Sequence, residues 1–548
     1  MTVEHLEIER KFDVDEAFAL PDLVGVAGVA EVRAPVKHAL EATYYDTADL
    51  RLARARVTLR RRTGGADAGW HVKLPASAGA RRELHSPLGR AQKTPPKAVL
   101  APVLGIVRRA PVTQVASLRT HRLVTELVDA DGRVLAEVAD DRVTGTALPA
   151  GPGEAAVVTV WREVEVELVD GDEELLAAVS AAVLEAGARP ADSPSKLSRV
   201  LADRMSAVEG PVLPLAETSR PVEQAEPGRS GKKGKGKKKA AKEEEEEAGR
   251  GRTSSAPAGE VVRAALQLQV RALQDADLMV RTGQPDGVHQ VRVACRRLRS
   301  IFSSFRRVLD RAATDPLRDE LSWLAGELSA ARDDEVALAH LRELVAAQPV
   351  EQVLGPVAAR LQQAEIRTAR AGHERALETL SDARYLRLLD DLYALLAAPS
   401  LSDKADRKAR PVLRAAVRKA ARRLDARLER VDATDGPDKD AAVHEVRKAG
   451  KRLRYTAEVA RADLGKPAKK LVKVSKKVQQ ALGDRQDTVV TREQCRQLAI
   501  AANAAGESTF TYGRLQALEE TRANESWAEF EALEPDLHAA LVAVTRKN

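Results

Sequence analysis

A low-complexity tract near the middle of the chain separates two segments with different hydrophobic patterns. From Glu226 to Gly259 the sequence is rich in Gly, Lys, Glu and Ser, with almost nothing to bury. We therefore predict a disordered linker over residues 209–258, with one domain at 1–208 and another at 259–548. A chain of 548 residues is also too long for one ordinary core.

The two segments predict different secondary structures. Before the linker, short alternating apolar segments such as LEIERKF, VTLRRR and VVTVWREVEVELV are separated by Gly, Pro and Asp, which is typical of antiparallel strands. One helix is expected near Glu173–Ala188. After the linker, long stretches rich in Ala, Leu, Arg and Glu show helical periodicity. The predicted fold class is therefore α+β and multidomain, with a β-domain followed by an all-α domain.

Composition and charge indicate the expected localisation of the protein. The first residues are charged and lack an apolar core, so we expect no secretory signal and a cytoplasmic protein. The longest nearly apolar stretch, Leu175–Leu184, is shorter than the roughly 20 residues that span a bilayer, so no membrane segment is expected. Two cysteines, Cys295 and Cys495, match no metal-ligand spacing and are interpreted as structural. The net charge is +7, and most of the basic excess lies in the helical segment.

Two strand segments carry acidic side chains at alternate positions. Strand side chains alternate between faces, so Glu7, Glu9 and Lys11 share one face. Glu163 and Glu165, continuing to Glu167, have the same period. Either stripe alone is also consistent with a solvated strand face. Carboxylates gathered on one side, however, suit hard divalent cations such as Mg²⁺ or Mn²⁺.

Cations on the other predicted strands favour a binding site over a solvated face. Guanidinium and ammonium groups opposite the carboxylates would bind a polyanionic chain. The candidates are Arg60, Arg62, Lys73, Arg81, Arg119, Arg122 and Lys196.

These residues, in this order, resemble the CYTH family, also called triphosphate tunnel metalloenzymes. The family's Glu-x-Glu-x-Lys motif is matched by Glu7, Glu9 and Lys11, and the resemblance covers roughly residues 1–205. It implies a closed antiparallel barrel that forms a tunnel around a triphosphate. It further implies metal-assisted attack on a phosphoanhydride, with Mg²⁺ or Mn²⁺ as cofactor. The implied metal ligands are Glu7, Glu9, Glu163, Glu165 and Asp141, and the implied triphosphate-binding residues are Lys11, Arg60, Arg62, Lys73, Arg81, Arg119 and Lys196.

The general base and the exact substrate stay open at this point. Few aromatic residues are available to stack on a base or a thiazole ring, and Trp70 and His71 point to opposite faces, so at most one lines the site. We therefore favour hydrolysis of inorganic triphosphate. The alternatives are an enzyme acting on a nucleotide or on thiamine triphosphate, including an adenylyl cyclase. For Glu137, the sequence is consistent both with a functional role and with a solvated carboxylate.

The helical segment contains an internal repeat. Val288–Arg299 aligns without a gap with Val443–Arg454. Offsets of 0, 3, 7 and 10 residues fall on one helix face, and Val291, Leu298, Val446 and Leu453 can turn inward. A solvated basic face is the simpler interpretation of one stripe, but faithful repetition favours an anion-binding surface. The two stripes are His289, Arg292, Arg296 and Arg299, and His444, Arg447, Lys451 and Arg454.

The repeated histidines with their basic followers resemble the CHAD domains, over about residues 260–540. The resemblance implies a helical bundle that binds inorganic polyphosphate through the two stripes, and association with polyphosphate granules is an open possibility. We thus expect a tripolyphosphatase coupled to a polyphosphate-binding domain. The alternative from another class is a polyphosphate-binding or granule-associated protein with a catalytically weak tunnel. No sequence-reading helix or stacking motif supports specific nucleic-acid binding, and the oligomeric state is left undetermined.

Overall fold

The structure is a computed structural model that describes residues 3–65, 67–76, 80–89, 94–151, 153–208, 210–211, 213–215, 256–434 and 438–546. The chain divides into two compact units, residues 1–227 and 228–548. Most of the predicted linker, residues 216–255, lies outside the described residues. Within the rest of that linker, Leu215 is buried against the first unit.

The first unit is built on an antiparallel sheet, which confirms the predicted class for this half. The strand order is β1-β7-β6-β5-β4-β8-β9-β10-β2-β11, with β3 paired to β8 outside this path. The strands are β1 (Val3–Glu7), β2 (Glu9–Val14), β3 (Glu31–Val32), β4 (Val36–Asp46), β5 (Thr58–Thr63), β6 (Gly69–Pro75), β7 (Arg81–Pro87), β8 (Thr113–Val128), β9 (Val134–Ala147), β10 (Val157–Leu168) and β11 (Arg189–Pro190).

The sheet is not closed, so the expectation of a closed barrel was wrong. Its terminal strands, β1 and β11, are not paired with each other in the described part of the chain. The physical reason is a change of partner at Ile8. Before this residue β1 pairs with β7, and after it β2 pairs with β10. One continuous N-terminal segment thus connects the two sides of the sheet covalently.

Helices of the first unit cover both faces of the sheet. They are α1 (Arg51–Arg54), α2 (Lys97–Leu100), α3 (Leu104–Val107), α4 (Glu173–Glu185), α5 (Lys196–Val200) and α6 (Ala202–Ala207), with 3-10 turns at Val26–Gly28 and Ala101–Val103. Helix α4 confirms the expected helix, and Asp172 caps it by accepting the backbone N–H groups of Glu174 and Leu175. It packs on Phe12, Val164 and Val166, which point away from the acidic face of their strands.

Part of the inner face is apolar and is covered by α5 and α6. Leu197 and Val200 pack there against Tyr44 and Val143. The close approach depends on Gly145, because a Cβ atom at this position would lie 2.4 Å from Val200 Cγ2. This packing fixes the start of α5, where Lys196 stands beside the charged part of the inner face.

The second unit is built of helices in its described residues, as predicted, and isolated β-bridges join Pro257 to Lys408 and Leu309 to Leu401. A 3-10 turn lies at Val350–Gln352. We found no helix among the described residues that is long and apolar enough to span a membrane. The helices are α7 (Ala258–Arg281), α8 (Gly287–Ser304), α9 (Arg311–Glu327), α10 (Ala330–Ala346), α11 (Val357–Ser381), α12 (Ala383–Ala397), α13 (Ala409–Asp432), α14 (Asp438–Val459), α15 (Arg461–Leu464), α16 (Lys466–Ala504) and α17 (Phe510–Thr545).

The two copies of the repeat form equivalent helices, α8 and α14. Val291, Leu298, Val446 and Leu453 are all fully buried, as their spacing predicted. The two helices also pack against each other, and the hydroxyls of Ser304 and Thr456 lie 2.7 Å apart. With their apolar sides buried, both basic stripes border the same space.

Candidate functional site

The charged part of the inner face of the first unit encloses a cavity of about 650 Å³. Its wall is contributed by strands that are far apart in sequence, so alternation along each strand selects which side chains reach it. The sequence-predicted residues that line it are Glu7, Glu9, Lys11, Arg60, Arg62, Lys73, Arg81, Glu165 and Lys196, together with Arg122, Glu137 and Glu167.

Three carboxylates beside the cavity form a compact acidic cluster. One oxygen from each of Asp141, Glu163 and Glu165 lies within 4.8 Å of the others, and all three residues are buried. Lys196 Nζ is 2.9 Å from Asp141, 2.6 Å from Glu163 and 2.7 Å from Glu165. Although burial opposes its charge, these carboxylates raise the pKa of Lys196. Asp141 and Glu163 therefore lie behind Lys196, and of the three acids Glu165 is the one that lines the cavity.

Arg122 is the second cation bound to this cluster. Its guanidinium donates to both oxygens of Asp141, at 2.7 and 2.6 Å, and to Glu165 at 2.7 Å. Burial opposes the charged forms, but Lys11, Lys196 and Arg122 hold the pKa of Glu165 well below its ordinary value. Asp141 and Glu165 are therefore ionised, and internal ion pairs hold the cluster together.

Arg119, predicted to bind triphosphate, does not reach the cavity. Its side chain is 79% exposed and lies 3.5 Å from Glu41, another exposed residue. Arg119 and Arg122 are three residues apart on β8, so alternation places them on opposite faces. The placement of Arg119 is thus corrected, and Arg122 is the inward arginine of this strand.

Toward β1, β6 and β7, a second group of ion pairs surrounds Lys73. Lys73 Nζ lies 2.5 Å from Glu7 and 2.9 Å from Glu83. Burial, together with the neighbouring Glu83, raises the pKa of Glu7 to about 8. Glu83 also contacts His71, and burial lowers the pKa of that histidine to about 4. Arg60 lies 4.0 Å from Glu83 as well, so Lys73 and Arg60 together face the two carboxylates. A cation bound at Glu7 would lower the raised pKa of that carboxyl.

The remaining predicted cations border the same space. Lys11 binds Glu9 at 2.8 Å and also contacts Glu165. Arg62 pairs with Asp67, while burial and the nearby Arg60 lower the pKa of Arg62 to about 9. Arg81 lines the cavity and donates to the carbonyl of Pro194 at 2.9 Å.

These residues fit a divalent metal and a phosphate chain in chemical terms. Carboxylate oxygens are the ligands that Mg²⁺ and Mn²⁺ prefer, and Glu7, Glu9, Glu165 and Glu167 face the cavity directly. Asp141 and Glu163 are reached only if Lys196 moves, because that side chain now occupies the centre of their cluster.

The second unit contains a larger cavity of about 890 Å³, and 13 of the residues that line it are Arg or Lys. It brings together seven of the eight residues of the two basic stripes. Burial and the nearby Arg447 and Arg296 lower the pKa of Lys451 to about 7. Burial also lowers the pKa of His444, whose Nδ1 lies 3.0 Å from Gln486. The stripe residues on its wall are His289, Arg292, Arg296, Arg299, His444, Arg447 and Lys451.

Arg454 is the stripe residue that does not line this cavity. Its Nε lies 3.2 Å from Glu458, and its guanidinium covers the ring of Tyr455 at 4.9 Å. In the first repeat the position equivalent to Glu458 is Ser303, so Arg299 has no such carboxylate and faces the cavity. One substitution between the repeats thus explains why the predicted symmetry fails here.

Several further cations on the wall were missed from the sequence because they lie outside the two basic stripes. Sequence analysis of α13 alone gives no signal for which of its many basic residues face the cavity. These additional cations are Arg306, Arg311, Arg318, Lys419, Arg423, Lys448, Arg452 and Arg522.

An open antiparallel sheet that encloses interleaved carboxylates and cations, followed by a helical bundle with a basic cavity, defines a two-domain protein suited to polyanions. Residues 5–198 match the CYTH domain and residues 264–496 match the CHAD domain. The chain belongs to the CYTH and CHAD domain-containing proteins. A CYTH domain fits a metal-dependent, phosphate-related enzyme of the triphosphatase or cyclase kind.

Two similar proteins match nearly the whole chain. Two uncharacterized proteins of Mycobacterium tuberculosis, from strains CDC 1551 / Oshkosh and ATCC 25618 / H37Rv, are each 38% identical over 542 residues, covering 96% of this chain and 95% of theirs. Among solved structures, PptA from Streptomyces chartreusis is 21% identical, covering 51% of this chain and 99% of its own, with a TM-score of 0.42. The CHAD domain from the plant Ricinus communis is 26% identical, covering 54% and 94%, with a TM-score of 0.38.

Proposed function

We propose that the first unit hydrolyses inorganic triphosphate with Mg²⁺ or Mn²⁺, and that the second unit binds inorganic polyphosphate. The observation that carries the first part is the interleaving of acids and bases on one enclosed face. Glu7 lies beside Lys73, and Glu165 lies beside both Lys11 and Lys196. Such a face offers oxygen ligands to a metal and donors to phosphate oxygens within one cavity.

The residue roles follow from which groups face the cavity. Glu7, Glu9 and Glu165 would hold the metal, and Asp141 and Glu163 would join them once Lys196 turns away. A bound divalent cation would neutralise phosphate charge and position or activate water. The residues that would bind and orient the triphosphate are Lys11, Arg60, Arg62, Lys73, Arg81, Arg122 and Lys196.

In the free protein, internal ion pairs keep the charged side chains of the cavity in place. Lys196 and Arg122 bind carboxylates that would otherwise be buried charges without partners. When a triphosphate enters, its oxygens replace the carboxylates as acceptors for these cations. The carboxylates are then available to a cation that arrives with the substrate. Binding of the triphosphate therefore favours binding of the metal, and binding of the metal favours binding of the triphosphate.

Inorganic triphosphate is favoured over a nucleotide because the wall provides little for a base to stack on. Trp70 is buried and packs on Tyr45, with ring centroids 5.2 Å apart, and is not part of the cavity wall. Trp161 donates to Glu163 at 2.5 Å instead of facing a ligand. Among the described residues, Tyr44 is the one Phe, Trp or Tyr side chain on the cavity wall, which also carries the imidazole of His38.

Phosphate release by the purified full chain tests the enzymatic proposal. Tripolyphosphate, ATP, thiamine triphosphate and long-chain polyphosphate are compared with Mg²⁺ and with Mn²⁺. We expect tripolyphosphate to be preferred and the Glu7→Gln/Glu9→Gln variant to lose turnover. Glu41→Gln is the matched control, because Glu41 is an exposed carboxylate whose alternation places it outside the cavity. Cyclic AMP formation from ATP would instead support a cyclase, and absence of turnover with every substrate would leave a binding protein.

Polyphosphate binding by the second unit rests on the convergence of both basic stripes in one cavity. The test is anisotropy of labelled polyphosphate, with the Arg296→Ala/Lys451→Ala variant expected to weaken binding. The control Lys473→Ala/Lys476→Ala removes two basic side chains from exposed positions of α16 outside the cavity. Equal weakening by both variants would indicate non-specific attraction. Association with polyphosphate granules would follow from this binding and stays a prediction.

A further inference from the structure

Strand β10 has a neighbouring strand on only one side over its first residues. It pairs with β9 from Val157 to Leu168, whereas its pairing with β2 begins at Arg162. Strand β2 ends at Val14, the residue opposite Arg162. We name residues 157–161 the open edge, because no other strand in the described part of the chain pairs with them on this side.

Two residues of the open edge direct their backbone groups to the unpaired side. In an antiparallel sheet, the N–H and C=O groups of successive residues point alternately to the two neighbouring strands. The N–H group of Leu168 donates to the carbonyl of Ile8 at 3.0 Å, on the side of β2. Val158 and Val160 lie an even number of residues before Leu168, and the register with β9 is unbroken, so their backbone groups point to the same side. Neither residue forms a backbone hydrogen bond there with any residue that the structure describes.

The side chains of the same two valines are exposed. Alternation places them on the face that carries Val164 and Val166, which pack under α4 and are fully buried. No described element covers the open edge in this way, since Val158 is 61% exposed and Val160 is 71% exposed. The open edge therefore leaves both apolar surface and backbone hydrogen-bonding groups in contact with solvent.

The composition of the open edge is that of a paired strand. Residues 155–161 contain neither a charged residue nor Pro, although 31% of the residues of the chain are charged. The Val and Thr residues among them have a high strand propensity. Native proteins commonly protect a free sheet edge with Lys, Pro or a bulge, which prevents pairing with another chain. Residues 157–161 carry none of these features, so they are suited to a partner strand.

The open edge is complementary to a second copy of itself. When two copies approach antiparallel about Thr159, Val158 of each copy lies opposite Val160 of the other. These are the residues whose backbone groups point outward, so the pair gains about four hydrogen bonds between chains. Each opposing position also brings two β-branched side chains together. Because the pairing has twofold symmetry, it closes on itself and ends at a dimer.

The part of this chain that lies outside the described residues does not offer an equivalent strand. Residues 216–255 contain one Val and no Ile, Leu, Met, Phe, Trp or Tyr. They cannot place apolar side chains opposite both Val158 and Val160 in an alternating pattern. A second copy of the open edge provides these side chains at the required spacing.

We propose that the open edge is a dimerisation surface, through which two copies of this chain join their sheets by antiparallel pairing of residues 157–161. The proposal does not depend on the proposed activity. Because β10 continues from this edge to Glu165 on the cavity wall, the dimer would place two such cavities on one continuous sheet. The paired surface is small, so we expect monomer and dimer to exchange at about micromolar concentrations.

Sedimentation velocity of the purified full chain over a wide range of concentrations tests the association. The variant Val158→Lys/Val160→Lys would bring like charges directly opposite each other, so its Kd for dimerisation should rise about tenfold or more. The matched control Val24→Lys/Val169→Lys adds the same charge at valines that are 54% and 51% exposed, and it should dimerise like the wild-type chain. High salt should not weaken the wild-type dimer, because the paired residues are uncharged. Circular dichroism verifies that both variants fold.

Oxidative cross-linking tests the register. Thr159 would face its own copy across the twofold axis, with Cα atoms about 4.5 Å apart, so Thr159→Cys should form a covalent dimer. Val157→Cys is the control, because the two copies of this position would lie about 14 Å apart, beyond the reach of a disulfide. The native Cys295 and Cys495 are buried and should contribute little background.

Four outcomes would overturn the proposal. A wild-type chain that stays monomeric at every concentration excludes the dimer, and slow amide hydrogen exchange at Val158 and Val160 in that monomer would assign the edge to another segment of the same chain. Undiminished dimerisation of the Val158→Lys/Val160→Lys variant would place the interface elsewhere. Equal cross-linking of the two cysteine variants would contradict the antiparallel register. Assemblies that grow beyond a dimer would contradict the closed twofold pairing.

Discussion

Lys196 Nζ lies 2.7 Å from Glu165 Oε1, although these residues belong to the short helix α5 and to strand β10. The same ammonium group also contacts Asp141 and Glu163. One cation from the C-terminal part of the first unit therefore contacts all three carboxylates of the acidic cluster. Because Arg122 also binds Asp141 and Glu165, the position of α5 matters most for the pairing of Glu163, and the first predictions concern this relationship.

Replacing Lys196 by Met should strongly destabilise the first unit. The change keeps the side-chain length but leaves three buried carboxylates short of a partner, which we expect to lower the free energy of unfolding by about 3–5 kcal/mol. Chemical denaturation of the full chain measures this. Arg119→Ala, which breaks an exposed pair, should cost less than about 1 kcal/mol. Similar losses in the two variants would contradict a central role for Lys196.

A divalent cation should rescue the Lys196→Met variant more than it stabilises the wild-type chain. Without the ammonium group, Asp141, Glu163 and Glu165 keep their oxygens within 4.8 Å and can share a metal. A ligand that binds only the folded state raises its stability. The measurement is the shift in Tm on adding Mg²⁺ or Mn²⁺. A larger shift in the wild-type chain would argue against metal binding by these three residues.

Arg122 and Arg119 should differ sharply in their effect on activity. Arg122 faces the cavity, whereas Arg119 is exposed on the opposite face of β8. Losing a preorganised donor to the reacting phosphate costs about 100-fold or more in rate, so we expect this loss of kcat/KM in Arg122→Ala. Arg119→Ala should retain nearly full activity. The reverse order would restore the choice made from the sequence.

Gly145 should be required for the position of α5. In Gly145→Ala the new methyl group would meet Val200 Cγ2 at 2.4 Å, and such overpacking costs about 1–3 kcal/mol. We expect a lower Tm and a lower kcat/KM, because displacing α5 moves Lys196. The double variant Gly145→Ala/Val200→Ala removes the nearest clashing atom, leaves Trp161 Cζ3 at 3.1 Å, and should recover part of both losses. No recovery would show that the clash with Val200 is not the cause.

Polyphosphate binding should depend on pH through Lys451. Burial, Arg447 and Arg296 lower its pKa to about 7 in the free protein, and a bound phosphate would raise it. The complex therefore holds more protons than the free protein above about pH 7, so binding takes up a proton and affinity falls as pH rises through that value. Calorimetry in two buffers of different ionisation enthalpy measures the uptake. Lys451→Arg should bind with a flatter pH dependence, and an unchanged profile would exclude Lys451 as the titrating group.

The sequence by itself predicted features that depend on local backbone geometry. Alternation placed Glu7, Glu9 and Lys11 on one face, and all three line the cavity. Helical spacing likewise predicted the burial of Val291 and Val446, which turns the basic stripes toward one space. These predictions depend only on the periodicity of a strand or a helix. The family resemblance added the order in which the motifs follow one another along the chain.

Only the tertiary structure determined which face of a strand or helix points into a cavity and which charged groups pair. Alternation separates Arg119 from Arg122 but does not tell which one points inward, because both faces of β8 carry polar and apolar residues. Arg454 turned to Glu458 because of one substitution between the repeats. The approach of Lys419 and Arg452, and the change of partner at Ile8 that leaves the sheet open, depend on contacts between segments far apart in sequence. Periodicity is a property of neighbouring residues, whereas these outcomes are set by long-range packing and charge pairing.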